Sequence, residues 1–516
     1  IVKSKIVLLD LSEDINRSVK NTDIFLLSSG ICKFENCLIL KKNIFSEKKF
    51  QIYKQKLNKI LDKTSKLIKK ESKDIDSNLL ELFNLRNDKN RFYDKIFYIL
   101  EIKKKFINYK NIEIITDDKN FFKTYKSLKF KNIRLTLIKK EITKYNCFYF
   151  IKNITKFYAK RILFQLYIKL FLKNKNVPNK QNEACLSLFP FFYDNNKNNF
   201  YKENFLNLNF QITDETHLNN SLIENILLSK KINSLKNTIS VEKYVSAISL
   251  IRGFFTSLTH IALIYKINKN IIKIDNLDIS TQFNNLLVQS IINYDKVFIY
   301  KSALKIIFKK FGIKKFHYIL FEYNFGYFLC KNIKEFLPNV EMLGYQHGIY
   351  SERLMWQDHL KNKKDKFKYF PQKIFLKFIN CIDVYKVNFK DIKISIDKIK
   401  VYEKNIKKRL QSSKSSLAFL GLHDAYQMLN SLGNLSYKKK IFVKKHPKFK
   451  SKIKIILKKN IKFLTKVNKR HDKVYLSPTS TMAYDFLNKN EKFSIINQDY
   501  LIPLNLKILD KKIEKF

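Results

Sequence analysis

A chain of 516 residues is too long for one hydrophobic core and predicts two or more domains, while 45% hydrophobic and 14% aromatic content excludes wholesale disorder. The formal net charge of +56 resembles a nucleic-acid signature, but Lys, Asn, Ile, Phe and Tyr are abundant everywhere while Gly and Pro are scarce, as an A/T-rich coding bias would produce. A dispersed excess of cations predicts solubility and attraction to anions of any kind, including the anionic cytoplasmic face of a membrane, and does not predict a nucleic-acid groove.

Cys32, Cys37, Cys147, Cys185, Cys330 and Cys381 are scattered, and only the first two are close. No second pair or nearby His completes a metal set, so reduced cytosolic thiols are expected. The chain starts at Ile1 without Met, as a fragment would, and what is present shows no signal peptide.

Lys5–Asp10 and Asp23–Leu27 read as buried strands of a parallel sheet. From Tyr53 onward, Leu57, Ile60, Leu61, Thr64, Leu67 and Ile68 recur at spacings of three and four, which predicts an amphipathic helix. Ile96–Leu100, Ile112–Ile115 and Ile133–Ile138 read as further strands, and Asp117-Asp118 as the cap of a helix running to Leu128 rather than an acid/base pair. Arg161–Leu172 is basic and apolar, suited to a membrane surface or to packing on the sheet. Val177–Ala184 reads as a linker, and the apolar strand Cys185–Tyr193 begins a second α/β unit.

Residues 223–287 read as mostly helical. Tyr244–Tyr265 raises a transmembrane question, but Arg252, His260 and several Ser/Thr favour a buried helix pair broken near Gly253. Val297–Tyr300 and Tyr318–Phe321 are expected strands, the second ending at Glu322. After the helix Phe325–Phe336, a strand from Val340 leads into Gly344-Tyr345-Gln346-His347-Gly348, which carries two of the 8 Gly of the chain. Glu322 and His347 thus fall at the carboxyl ends of consecutive strands, where a carboxylate and an imidazole can form a general-base pair. Nearby Trp356 is expected to pack.

Ile374–Phe378 reads as a further strand, followed by a charged region to about Ser416 that holds the interdomain crossing. The last unit is expected to start with Leu417–Leu422 ending at His423-Asp424 and to run on through Ile441–Val443, Val474–Leu476 and Phe493–Ile496. Two of these strands deliver polar segments. Lys444-Lys445-His446-Pro447 can donate to a phosphate or base. Ser477-Pro478-Thr479-Ser480-Thr481 offers hydroxyls beside the N–H groups of a helix N-terminus, an anion site or a generous N-cap. Asp485, one turn on, can accept from a ribose or favour the helix dipole.

The order QHG, K-x-H-P, then Ser/Thr at a helix start resembles GT-B glycosyltransferases of bacterial surface-polysaccharide (capsule or O-antigen) synthesis, over roughly Cys185–Ile496. Similar motifs occur in sialyltransferases and Kdo transferases and in teichoic-acid glycerophosphotransferases. The resemblance implies an α/β, GT-B-like fold: two Rossmann-like domains facing across a cleft, with a helical insertion in the N-terminal part. It implies an N-terminal α/β region over 1–180, an acceptor-side unit over 181–400, and a donor-nucleotide domain over 401–516. His347 or Glu322 would be the catalytic base and Gln346 and Gly348 would contact the acceptor. Lys445, His446, Pro447, Ser477, Thr479, Ser480, Thr481 and Asp485 would hold the donor.

The implied substrates are a nucleotide-sugar, with a CMP-linked sugar suited to so basic a protein, and a glycan or lipid-linked glycan acceptor. No metal or cofactor is required, no specific nucleic acid is expected, and the location would be cytoplasmic or peripheral at the inner membrane. The alternatives are a CDP-glycerol-type glycerophosphotransferase and a non-catalytic nucleic-acid-binding or scaffold protein. The sequence differs from the family in the Pro inside SPTST, in the Gly-poor turn at His423-Asp424, and in ending soon after Ile496, where a GT-B fold usually has helices crossing back.

Overall fold

The structure is a computed structural model that describes residues 5–11, 18–27, 33–35, 38–39, 47–84, 92–106, 109–128, 132–138, 145–172, 181–189, 193–194, 197–198, 205–211, 221–320, 324–346, 360, 365–377, 381–396, 412–421, 428–429, 431–432, 440–445, 460–464, 470–477, 480, 482–483, 486, 491–496 and 514–515. It is a mixed α/β structure built on three larger sheets whose strands are all parallel.

The first sheet holds β1 (Lys5–Asp10), β2 (Asp23–Leu26), β3 (Leu38–Ile39), β4 (Asn111–Thr116) and β5 (Ile133–Leu137), in the order β3-β2-β1-β4-β5. The second holds β6 (Glu183–Ser187), β7 (Leu206–Asn209), β8 (Thr238–Ser240), β9 (Lys315–Leu320), β10 (Glu341–Gln346), β11 (Lys373–Leu376) and β12 (Lys393–Ile396), in the order β8-β7-β6-β9-β10-β11-β12. The third holds β13 (Ser412–Phe419), β14 (Ile441–Lys444), β15 (Ile461–Leu464), β16 (Arg470–Leu476), β17 (Ser494–Ile495) and β18 (Glu514–Lys515), in the order β15-β14-β13-β16-β17-β18.

Each sheet starts at its middle, grows outward by two strands, then reverses and grows on the other side. This is the doubly wound pattern. Ile6, Val7, Leu8 and Leu9 of β1 are all at most 1% exposed, as a strand covered on both faces requires. The segment 1–180 was expected to be an α/β region behind two Rossmann-like domains. It carries a doubly wound sheet of its own, so there are three such sheets rather than two.

The helices are α1 (Glu47–Glu71), α2 (Phe92–Lys105), α3 (Lys119–Lys126), α4 (Cys147–Phe171), α5 (Leu222–Ser234), α6 (Ala247–Thr259), α7 (Ile261–Lys269), α8 (Ser280–Phe298), α9 (Tyr300–Phe311), α10 (Asn324–Phe336) and α11 (Ile382–Asn388). In α1 the predicted face is buried at Tyr53, Leu57, Leu61 and Ile68, and the Thr64 hydroxyl on that face donates to the Ile60 carbonyl at 2.9 Å. Helices α5 to α9 lie between β7 and β9 in sequence, apart from the short β8, and form the helical insertion.

The first unit is bound to the second through the segment after α1. Asp76 takes an ion pair from Lys331 of α10 at 2.5 Å and a hydrogen bond from the Tyr369 hydroxyl at 2.7 Å. Leu82 N–H donates to Ser290 Oγ at 3.0 Å, and Asn293 donates to Glu81 at 3.0 Å. One apolar cluster runs through the first two units and takes in Leu476, Ala483, Phe493 and Ile495 of the third, which also has a separate small core around Ala418, Met428 and Val443.

Three expectations are corrected. Ile96–Leu100 and Val297–Tyr300 are not strands: the first lies within α2, and α8 runs through Phe298 with α9 opening at Tyr300. Residues 92–102 of α2 are all buried, so the helical period is invisible in the sequence and the run reads as a strand. The break between α6 and α7 falls at His260 rather than near Gly253, which sits inside α6.

Gly253 has a packing role. A Cβ there would lie 2.6 Å from the Tyr158 Oη of α4, so its absence lets the two helices approach. Gly253→Ala is expected to lose about 1–3 kcal/mol from overpacking, less about 1 kcal/mol of gained helix propensity. Urea unfolding of Gly253→Ala and of Gly253→Ala/Tyr158→Phe checks this, because removing the hydroxyl should restore most of the loss.

Candidate functional site

Ligands of open parallel sheets bind outside the carboxyl ends of the strands, where the strand order reverses. Three sheets give three such places.

The first is closed by the chain itself. At the reversal between β1 and β4, Asp10 pairs with Thr116 across the sheet. Lys95 of α2 reaches in, its ammonium 2.9 Å from Asp10 and 2.7 Å from Asp118. Tyr125 donates to Asp10 at 2.6 Å and Thr116 at 3.2 Å. The other oxygen of Asp118 accepts from Asn120 and Phe121 N–H, so this residue is the N-cap of α3.

Burial by itself would raise the Asp10 carboxyl. The Lys95 charge, with hydrogen bonds from Tyr125, Lys95 and Thr116, reverses this and holds it below the usual carboxylate range. Burial pulls the Lys95 ammonium down, but the Asp10 and Asp118 charges lift it above the usual lysine range. The Asp10–Lys95–Asp118 ion pairs thus occupy the crevice at the first reversal point.

The second reversal, between β6 and β9, is different. Ser187, Asn209 and Ser240 end β6, β7 and β8 at matching register and form a polar row across three strands, each at most 4% exposed. Asn209 Oδ1 accepts from Phe189 N–H at 2.8 Å, but Asn209 Nδ2 and Ser240 Oγ are buried with no hydrogen-bond partner among the described residues. Buried polar atoms of this kind call for water or a ligand. Sequence reasoning missed this row. Leu206–Asn209 and Thr238–Ser240 are short, and their Asn, Thr and Ser hide the strands; the usable signal was a polar residue closing each apolar pair.

On the other side of the reversal, β9 and β10 run side by side and end together, with Leu320 opposite Gln346. The predicted bases Glu322 and His347, and Gly348 and Trp356, fall outside the described residues. Gln346 is 3% exposed, and its Oε1 accepts from Lys377 N–H at 3.1 Å, tying the end of β10 to the end of β11.

Tyr345 before it is fixed as well. Its ring stacks on Phe375 at 4.9 Å and its hydroxyl meets His317 Nδ1 at 2.8 Å. His317 Nε2 contacts Glu183 at 2.9 Å, and the imidazole stacks on Phe205 at 4.1 Å. Burial would raise the Glu183 carboxyl, but hydrogen bonds from Lys315 and His317, and then their charges, hold it low. A Glu183–His317–Tyr345 relay therefore positions the strand that delivers the GYQHG segment.

The third reversal lies between β13 and β16, where Phe419 faces Leu476 on one side and Lys444 on the other. Buried Leu420 and Gly421 continue β13, and Ser477 follows β16 fully buried. Ser480 N–H donates to the Ser477 carbonyl at 3.0 Å and Ser480 Oγ accepts from Met482 N–H at 3.3 Å, the geometry of an N-terminal cap. Lys445, just after β14, holds its ammonium 4.8 Å from the Phe463 ring centre. His446, Pro447, Thr479, Thr481 and Asp485 lie outside the described residues. No group of three or more His, Cys, Asp or Glu that could hold a metal ion occurs among the described residues.

No family model matches the chain, and no curated protein matches it. Among solved structures, one match is to the chain titled "Crystal Structure Analysis of the Glycotransferase of kitacinnamycin", at 9% identity and a TM-score of 0.31, covering 44% of this chain and 68% of that one. A likeness of that size describes neither the fold nor the activity of this protein.

Lys95→Met is expected to lose about 3–5 kcal/mol, because Asp10 is left buried and unpaired. Chemical denaturation at neutral pH measures this. The contribution of the lowered Asp10 carboxyl should be complete above its ordinary value near 4 and disappear as pH falls through its lower folded value, so the gap between wild type and Asp10→Asn should narrow in acid.

Proposed function

We propose that the protein is a glycosyltransferase that moves a sugar from a nucleotide-activated donor to a glycan or lipid-linked glycan hydroxyl. The observation that carries this reading is the second reversal point. There the unpaired Asn209 Nδ2 and Ser240 Oγ occupy the same sheet edge as the paired ends of β9 and β10, which lead into Glu322 and His347. Sugar hydroxyls are donors and acceptors of the size that such leftover polar atoms take. A base at the ends of β9 and β10 would deprotonate the acceptor hydroxyl.

The donor belongs, on this reading, to the third unit. His446 and the SPTST segment would contact the phosphate, and Lys445 would balance the charge that develops as the nucleotide leaves. The order of the motifs along the chain supports this division, and the basic character of the protein favours a CMP-linked acidic sugar. A CDP-glycerol donor would use the same crevice.

Melting temperatures with CMP, CDP and UDP test the donor half. One nucleotide should stabilise the protein, by about 2.7 kcal/mol at a hundred times its Kd, and His446→Ala should abolish that gain. Absence of any nucleotide effect, with tight salt-sensitive DNA binding instead, would sink the proposal. In transfer assays His347→Ala should lose about a hundredfold or more in rate; a loss of only a few-fold removes His347 from the reaction.

Ser240→Ala separates binding from folding. Its hydroxyl has no partner among the described residues, so the fold should keep or slightly raise its melting temperature while the KM for acceptor rises. A lowered melting temperature with unchanged KM would assign Ser240 to structure alone.

A further inference from the structure

The helical insertion and α4 leave a large apolar surface uncovered. On α4, Phe148, Ile151, Leu163, Leu166 and Leu170 are 37–74% exposed. Their spacing puts them along one side of the helix, opposite the buried positions Phe150, Ile154, Phe157, Phe164 and Ile168. From Phe148 to Leu170 the stripe spans about 33 Å at 1.5 Å per residue.

A second stripe continues through α6 and α7, where Ile248, Ile251, Phe255 and Tyr265 are 50–63% exposed. The helices α4 and α6, which carry most of these residues, meet at a seam where Tyr158 packs on Gly253. An apolar surface of this length is not the scatter of single exposed side chains that any protein shows.

Charge says what covers it. Neither Cys147–Phe171 nor Ala247–Lys269 contains an Asp or Glu. Lys152 lies within the first stripe with Lys156 and Lys169 beside it, and Arg252 and Lys269 lie beside the second, all of them exposed, while Lys266 is paired with Glu71 of α1 at 2.5 Å. A second copy of the chain would bring the same cations to the seam and be repelled. An anionic bilayer supplies both what the Leu and Phe side chains need and what the Lys and Arg side chains need.

The segment Ala247–Lys269 is long and apolar enough to cross a membrane, but its geometry opposes that. It is broken at His260, which is 1% exposed and bonded to Asp295 of α8 at 3.1 Å. One side of the segment is therefore anchored in the protein core, and only the other faces out.

We infer that the joint outer face of α4, α6 and α7 is a docking surface for an anionic lipid bilayer, on which these helices lie parallel to the membrane plane with their apolar stripes in the headgroup boundary. This inference stands apart from the proposed reaction, because it uses none of the strand-end residues.

Co-sedimentation of the full chain with vesicles tests it. One set is phosphatidylcholine alone and the other an equal mixture of phosphatidylcholine and phosphatidylglycerol. Wild type should pellet with the mixed vesicles and stay largely in solution with the neutral ones. Leu163→Gln/Leu166→Gln and Ile251→Gln/Phe255→Gln leave the net charge unchanged and alter exposed positions, so circular dichroism and melting should match wild type. Each should weaken binding about tenfold or more, from the apolar area no longer buried.

If both pairs bind the mixed vesicles as wild type does, adsorption is by dispersed charge and the surface is not a docking site. If wild type fails to bind the mixed vesicles but forms a dimer in sedimentation that the Gln variants abolish, the face belongs to a second copy and the inference is overturned.

Discussion

In a wholly parallel sheet every strand must return over a face before the next begins, so all the strand-to-helix turns collect on one edge. This constraint decides where chemistry can occur in the protein. It holds three times, in sheets of five, seven and six strands, each with one reversal of strand order. What differs among the described residues is what each reversal holds: ion pairs in the first, a polar row with two unpartnered atoms in the second, and the Ser477–Ser480 turn in the third.

The distribution of acids explains how so basic a chain holds together. With 45 Asp and Glu against 101 Lys and Arg, one-to-one pairing would leave 56 cations without an acid. The acids that matter are buried and shared. Asp10 joins α2 to the first sheet, Glu101 accepts from both Lys49 and Tyr53 of α1, and Glu242 receives Arg161 of α4 and the Tyr300 hydroxyl of α9. Each carboxylate serves two or more elements, which makes its removal costly.

Much of this was legible in the sequence where a period or a polar stop was present. Lys5–Asp10, Ile112–Ile115, Ile441–Val443 and the face of α1 follow directly from their apolar spacing, and Asp118 caps its helix as its position before a helical run suggests. The failures have physical causes. In α2, Asp94, Lys95 and Glu101 are buried with their apolar neighbours, so polarity did not mark an outer face. Leu206–Asn209 and Ile461–Leu464 are four-residue strands diluted by Asn or Lys. For the site, strand ends could be read as places, but the Ser187–Asn209–Ser240 row depends on register between strands far apart in the chain, which no local pattern encodes.

The knot around Asp76 sets the order in which the chain can be finished as it is made. Asp76 and Tyr369 are separated by 293 residues, and Lys331 lies between them in the sequence. The first sheet can pair its strands once residue 137 is available, yet the segment that fastens it cannot close until most of the second unit has been synthesised. Until then the segment after α1 carries Leu79, Leu80 and Phe83 without all the neighbours they have in the finished cluster. The first two units should thus pass through their final folding step together, late in synthesis, while the third, with its own core around Ala418 and Val443, can still follow separately.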